Sequence, residues 1–258
     1  MSLFETVALG IIQGLSEFLP ISSSGHLMVF HHLLGIESSD NLTFIVVLNL
    51  GTLVPLLYIF RKDLLDLLKW PPQKTVYLLL IATVPIVVAT LLFEDFVEGL
   101  FQSTQFLAFG FLATGIILIL TDKIKGNKKK LKEMTYVDSV VVGLTQAVAI
   151  FPGLSRSGST ISATLMRGVT REDAMKFSFL MSIPAAFGAL AFRILRMFTG
   201  HILISDLNFL NLLVGFFAAM LSGYLSINFM MKLVQGAKLK YFALFYVFGL
   251  TALIFILF

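Results

Sequence analysis

Six runs of this chain are each long and apolar enough to cross a membrane, and nothing else in it constrains the fold as much. They are residues 42–60, 75–93, 105–121, 172–195, 208–231 and 241–257. About 20 residues at 1.5 Å each cover the ~30 Å of hydrocarbon in a bilayer. In that solvent no water satisfies the backbone, so a spanning segment is a helix or part of a closed barrel. Composition agrees: 57% of the residues are hydrophobic and 13% charged, where soluble domains have about 45–50% and 25%. The chain reads as an all-α polytopic membrane protein. It has no cysteine, which excludes a disulfide framework and a thiolate metal site. The net charge of +4 lies mostly in loops, where bases set orientation, so no nucleic acid is expected as a partner. The apolar N-terminus lacks a basic leader region and runs straight into a polar motif, so it reads as mature structure.

Two further regions are apolar but broken. Residues 3–19 end at Pro20 and three serines, and residues 25–34 add one short arm. Residues 136–151 and 158–166 repeat the arrangement. Arms of about 10–17 residues reach about 15–25 Å, too short for the second arm to cross. Each pair therefore reads as a re-entrant helix–loop–helix. The pairs are also copies: adding 133 places Gly10 on Gly143, Gln13 on Gln146, Ser22 on Ser155 and Gly25 on Gly158. The same register carries Gly35 onto Gly168, Asp40 onto Asp173 and Phe44 onto Phe177, which argues duplication.

The distribution of bases orients the copies. Arg61, Lys62, Lys69 and Lys74 mark one inner loop, the lysines from Lys123 to Lys132 a second, and Lys232, Lys238 and Lys240 a third. Glu94, Asp95 and Glu98 fall outside; Arg193 and Arg196 also fall outside, against the rule. Each half then holds one re-entrant hairpin and three transmembrane helices: repeat 1 is 1–121, a cytoplasmic linker is 122–135, and repeat 2 is 136–258. An odd number of spans inverts the second copy, giving an inverted repeat.

Irregular backbone at membrane depth persists only where protein or a watery cavity satisfies it. In both hairpins a hydroxyl cluster precedes a short helix: Ser22, Ser23 and Ser24 before an arm starting near Gly25, Ser155 and Ser157 before one starting near Gly158. Such hydroxyls cap helices. The same N-termini offer free N–H groups and a positive dipole end to a phosphate. Gly25, Gly153 and Gly158 permit close backbone approach. Charges at mid-membrane cost about 2.5–3.5 kcal/mol on insertion scales and usually mark function. Glu17 stands in an apolar arm with Gln13 one turn before it, Arg156 lies in the second loop, and His26 follows the serines. A guanidinium fork fits phosphate oxygens, and an imidazole moves protons near neutral pH. An ion pair between Glu17 and Arg156 that merely ties the hairpins together would use the same residues. An anion cradle, a guanidinium, a hydroxyl and an acid–base pair are the parts of phosphoryl transfer.

The strings "QGLSEFLPISSSGH", "FPGLSRSGSTIS", "FSFLMSIPAAFGA" and "MTYVDS" resemble the BacA-type undecaprenyl-diphosphatase family over nearly the whole chain. Its Glu-or-Gln, three residues, Glu motif reads here as Gln13 to Glu17, and its Pro-Gly-x-Ser-Arg-Ser-x-x-Thr motif as Pro152 to Thr160. Gln13 is the variant form, leaving a single carboxylate in that arm. The resemblance implies hydrolysis of a polyprenyl diphosphate, usually undecaprenyl, to the monophosphate and phosphate. That step recycles the lipid carrier of peptidoglycan and other envelope polymers, and overproduction confers bacitracin resistance. It also implies a divalent cation, Mg²⁺ or Ca²⁺, and a multi-pass protein of the cytoplasmic membrane with its site toward the outer face. Partners expected are the lipid diphosphate and the bilayer, with a homodimer left open.

On this reading Ser23 attacks the terminal phosphorus with His26 as base, or His26 attacks directly. Glu17 orients the imidazole or holds the metal, and Arg156 clamps the phosphates. Gln13, Ser22, Ser24, Gly25, Gly153, Ser155, Ser157, Gly158 and Thr160 complete the substrate site. A polyprenyl-phosphate transporter is the rival class, since inverted repeats with broken helices are transporter architecture. A transporter needs the anion site but not the hydroxyl–His–Glu set. A purely structural membrane protein leaves the buried charges unexplained.

Overall fold

The computed structural model describes residues 1–36, 42–71, 73–101, 103–125, 127–198, 208–236, 239–244, 249–251 and 254. Among these the fold is helical: α1 Leu3–Phe18, α2 Ser23–Leu33, α3 Leu42–Ile59, α4 Arg61–Leu67, α5 Lys74–Phe101, α6 Thr104–Asp122, α7 Tyr136–Val148, α8 Arg156–Met166, α9 Arg171–Phe198, α10 Phe209–Gly236 and α11 Leu239–Phe242. Four helices carry stretches long and apolar enough to span: Lys74–Phe93, Gln105–Asp122, Arg171–Phe192 and Phe209–Leu233. A fifth, in α3, passes together with α4, which bends 77° away where Arg61 and Lys62 begin. This is a polytopic membrane protein. The expectations for Asp40 and Lys238, and for most of 241–257, lie outside the described residues.

Three helices run past their predicted ends, α10 among them, which reaches Gly236 rather than 231. The acidic stretch 94–98, expected as a loop, continues α5 to Phe101. The spacing of Phe93, Phe96, Val97 and Leu100 keeps an apolar stripe at i, i+3, i+4 and i+7, so the helical pattern outlasts the membrane-length run. Likewise α9 continues to Phe198 through Arg193 and Arg196.

The two broken regions are helix hairpins, α1–α2 and α7–α8. Ser22 and Ser155 are the N-caps of the second arms, their hydroxyls accepting from the N–H groups of Gly25 and Gly158 at 3.4 and 3.0 Å. The arms therefore start at Ser23 and Arg156, two residues earlier than predicted. Both end alike. Gly35 and Gly168 take φ of 65° and 83°, which glycine adopts without a Cβ clash. Their N–H groups bond His32 O and Leu165 O at 3.1 and 2.9 Å, and the next N–H groups reach His31 O and Thr164 O at 3.0 and 3.4 Å.

First arms pack on long helices at backbone distance. Ser222 and Ser226 of α10 donate to Gly10 O and Leu15 O of α1 at 3.3 and 2.7 Å. A Cβ on Gly14 would fall 2.0 Å from Ser222 Oγ. Ser139 of α7 donates to Leu78 O of α5, and a Cβ on Gly143 would fall 2.6 Å from Ala82 O. Partner numbers rise together in each pair, so α1 runs parallel to α10 and α7 parallel to α5.

The hairpin tips meet. Ser157 Oγ donates to Leu19 O at 2.9 Å, and Gly158 faces Pro20. The second loop lies on α6: Thr114 Oγ1 donates to Gly153 O at 3.2 Å and accepts from Ser155 N–H at 3.0 Å. At the other end of the α7–α8 hairpin the linker is pinned rather than free. Lys129 exchanges backbone bonds with Gly168 O and Thr170 N–H at 3.1 and 2.9 Å. Its ammonium and Arg167 pair with Asp138, which is fully buried. Burial pushes the Asp138 carboxyl upward, but bonds from Lys129, the Thr135 N–H and Arg167 outweigh it and hold the pKa well below the usual carboxylate range.

Candidate active site

Glu17 is in the last turn of α1, where the arm reaches the meeting point of the two tips. Its Oε1 pairs with Arg156 Nη2, so the first residue of α8 closes onto the last turn of α1. Its Oε2 accepts from Ser23 Oγ at 2.6 Å and from Gln13 Nε2 at 3.0 Å. Gln13 Nε2 donates a second bond to Asn49 Oδ1 of α3 at 2.7 Å. Thus the two hairpins and one spanning helix converge on a single carboxylate. The first residues of α2 and α8, Ser23 and Arg156, both touch it. Helix starts carry N–H groups without intrahelical acceptors, so two positive dipole ends face one point.

A cavity of about 550 Å³ opens beside this carboxylate. Glu17, Asn49 and Arg156 line it together with apolar side chains of α3 (Leu50, Leu53, Leu56), α5 (Ile86, Val87, Leu91) and α9 (Ala185, Ala189, Phe192). Asn49 and Ser182 are 133 residues apart, on the repeat register, and both line the cavity. The combination suits an amphipath with an anionic head and a hydrocarbon tail.

His26 lies apart from this cluster. Its Nδ1 is 2.8 Å from Ser22 O, and its ring meets Phe111 edge-on with centroids 5.5 Å apart. A carbonyl only accepts, so Nδ1 carries the proton and the lone pair of the neutral ring sits on Nε2. Glu17 therefore touches Ser23 and not the imidazole it was expected to orient. Ser22, whose carbonyl fixes His26, has φ 68° and ψ 97°, a conformation costing a non-glycine residue about 1–3 kcal/mol; such strain gathers at functional sites.

The remaining predicted residues frame the site. Ser24 Oγ is 3.4 Å from Ser22 Oγ. A Cβ on Gly25 would meet Phe111 at 2.5 Å, and Gly153 at φ 80° lies against Leu107 O. Ser155 and Ser157 hydroxyls are 3.2 Å apart and buried, and Thr160 Oγ1 is 2.6 Å from Ser178 Oγ. The Ser155 hydroxyl caps α8, that of Ser157 joins the hairpins and that of Thr160 ties α8 to α9, and none of the three residues lines the cavity. Sequence reasoning missed Asn49. Its signal was present: a lone amide in the otherwise apolar run 42–60.

The fold and this site define a class: a helical membrane protein that sets one carboxylate and one guanidinium in the wall of an apolar cavity, with a serine hydroxyl bonded to the carboxylate. Its family follows from comparison. The family described as bacitracin resistance protein BacA matches residues 6–253. An undecaprenyl-diphosphatase of Carboxydothermus hydrogenoformans is 42% identical over 255 residues, covering 98% of this chain and 97% of that one. The undecaprenyl-diphosphatase of Halothermothrix orenii is 42% identical over 246 residues, covering 94% and 93%. The chain belongs to the BacA family.

Proposed function

We propose that this protein hydrolyses undecaprenyl diphosphate to undecaprenyl phosphate and phosphate, with Ser23 as nucleophile and Glu17 as the acceptor of its proton. The observation that carries this is the 2.6 Å bond from Ser23 Oγ to Glu17 Oε2, the carboxylate of Glu17 itself lining a cavity suited to a lipid tail. In the free enzyme Arg156 neutralises Glu17. An arriving diphosphate competes for the guanidinium and frees Glu17 to receive the Ser23 proton. Ser23 Oγ bonds to the terminal phosphorus while its proton passes to Glu17. The bond from phosphorus to the bridging oxygen breaks, and undecaprenyl phosphate leaves with that electron pair. Arg156 and the first N–H groups of α2 and α8 stabilise the charge spread over the phosphoryl oxygens. Water then cleaves the phosphoserine.

A divalent cation, Mg²⁺ or Ca²⁺, fits one mode here. Among the described residues no three His, Cys, Asp or Glu side chains gather as a cage. Mg²⁺ is often held by one or two carboxylates plus substrate phosphates; Glu17 Oε1, the oxygen that pairs with Arg156 in the free protein, would supply that single protein ligand and leave Oε2 to take the Ser23 proton. Bound there, the ion would neutralise phosphate charge. Phosphoenzyme trapping tests the chemistry: acid-stable phosphate on Ser23 supports it, acid-labile phosphate on His26 assigns its Nε2 as nucleophile, and neither assigns attack to water.

The two halves, 1–121 and 136–258, form an inverted repeat on this reading. The parallel pairs α1–α10 and α7–α5 support it: α5 and α10 are separated by α6 and α9, one crossing each, and so run in opposite senses. Their hairpin partners are then opposed as well. With the basic loops inside, the first hairpin opens toward the outer face of the cytoplasmic membrane. The lipid diphosphate would reach it there. The Ser23–Glu17 contact is chemistry a transporter of lipid phosphate does not require, which favours the hydrolase.

A further inference from the structure

The hydrogen-bond chain that starts at Glu17 has a fixed direction, and its far end is the amide of Asn49. An ionised carboxylate only accepts, so Gln13 must turn its NH₂ group, not its carbonyl, toward Glu17. Nitrogen and oxygen of an amide are told apart by such partners. The second proton of that NH₂ goes to Asn49 Oδ1 at 2.7 Å. The acceptor end of Asn49 is thereby used, and its own NH₂ is left over. Asn49 is an exposed residue of an apolar helix, and what it is exposed to is the cavity beside Glu17 and Arg156. The carboxylate thus acts through two amides to hold an N–H donor at the cavity wall.

We propose that Asn49 is a substrate-binding residue whose Nδ2 donates to a phosphate oxygen of the lipid diphosphate. A phosphate oxygen is an acceptor, the partner this orientation demands. The inference rests on placing the diphosphate at Glu17 and Arg156.

Two substitutions at one position separate this role from a structural one. Asn49→Asp keeps the oxygen that accepts from Gln13 and replaces the donor with a negative oxygen. Asn49→Leu removes both and adds no charge. If Nδ2 binds phosphate, Asn49→Leu should lower kcat/KM about tenfold to a hundredfold, mostly through KM. Asn49→Asp should be lower still at alkaline pH, where the new carboxyl is ionised. If Asn49 only holds Gln13, the order reverses: Asn49→Asp stays near the wild type and Asn49→Leu is the worse. Undecaprenyl diphosphate hydrolysis by purified full-length protein, with thermal unfolding of each variant, reads the order directly. Arg156→Ala measured alongside keeps the two ideas apart. With Arg156→Ala crippled and Asn49→Asp near the wild type, only the Asn49 assignment falls. With Arg156→Ala near the wild type, the placement itself falls and the assignment with it.

Discussion

Glu17 holds three partners that each do something different, and its substitution is correspondingly informative. Glu17→Gln keeps the shape and the contacts to neutral donors but removes the charge and the base. Turnover should fall by about a hundredfold or more, with the protein still folded. A phosphate-release rate near that of the wild type would make the carboxylate structural. Much of this site was legible in sequence: Glu17 and Arg156 stand out because a charge at membrane depth is expensive, Gln13 by its place one turn before Glu17, and Ser23 by its hydroxyl cluster. What was not legible is which groups touch. His26 is three residues from Ser23, yet the left-handed backbone at Ser22 directs its Nδ1 to the Ser22 carbonyl. No residue pattern announces a serine at φ 68°. Lys129 was hidden for the opposite reason. Inside a lysine-rich linker it looks like solvated charge, and only tertiary contact reveals Asp138 beneath it.

At the scale of elements, the hairpins depend on close backbone contact. The second loop rests on α6, where a Cβ on Gly110 would come within 1.9 Å of Pro152 O. Gly110→Ala should therefore displace the loop that leads into Ser155 and Arg156. We expect a loss of about 1–3 kcal/mol from overpacking, with activity falling further than stability because Arg156 moves. Unchanged unfolding and turnover would mean the loop yields freely. The opposite end of the same hairpin is held by Asp138. Its pKa is depressed in the folded protein, so the ionised form contributes stability that is fully present above the ordinary value of 3.8 and is lost as pH falls through the lower folded value. Asp138→Asn should melt earlier than the wild type at neutral pH, and the gap should close in acid below that window. A gap independent of pH would contradict the assignment. The glycines at both helix ends and the serine caps were readable from composition. The extra length of α5, α9 and α10 was not, because hydropathy marks where a helix leaves the lipid and says little about where it stops.

For the whole molecule, the sequence carries a repeat register of 133, and the packed pairs α1 on α10 and α7 on α5 fall at equivalent positions of that register. The natural absence of cysteine makes orientation testable without background. Single cysteines at Lys62 and Lys128 should react only from the cytoplasmic side of intact cells, and one at Asp95 only from outside. The reverse pattern would overturn the arrangement and the outward-facing site. The central claim concerns what the Glu17–Arg156 pair is for: a phosphate clamp or a strut. The measurement that separates these is phosphate release from undecaprenyl diphosphate together with thermal unfolding, on wild type, Glu17→Gln, Arg156→Ala and the double variant. A clamp predicts that Arg156→Ala loses about a hundredfold to a thousandfold in rate while melting near the wild type, with no rescue in the double variant. A strut predicts that Arg156→Ala loses stability, that the double variant recovers it, and that activity follows the folded fraction; that result would contradict the account.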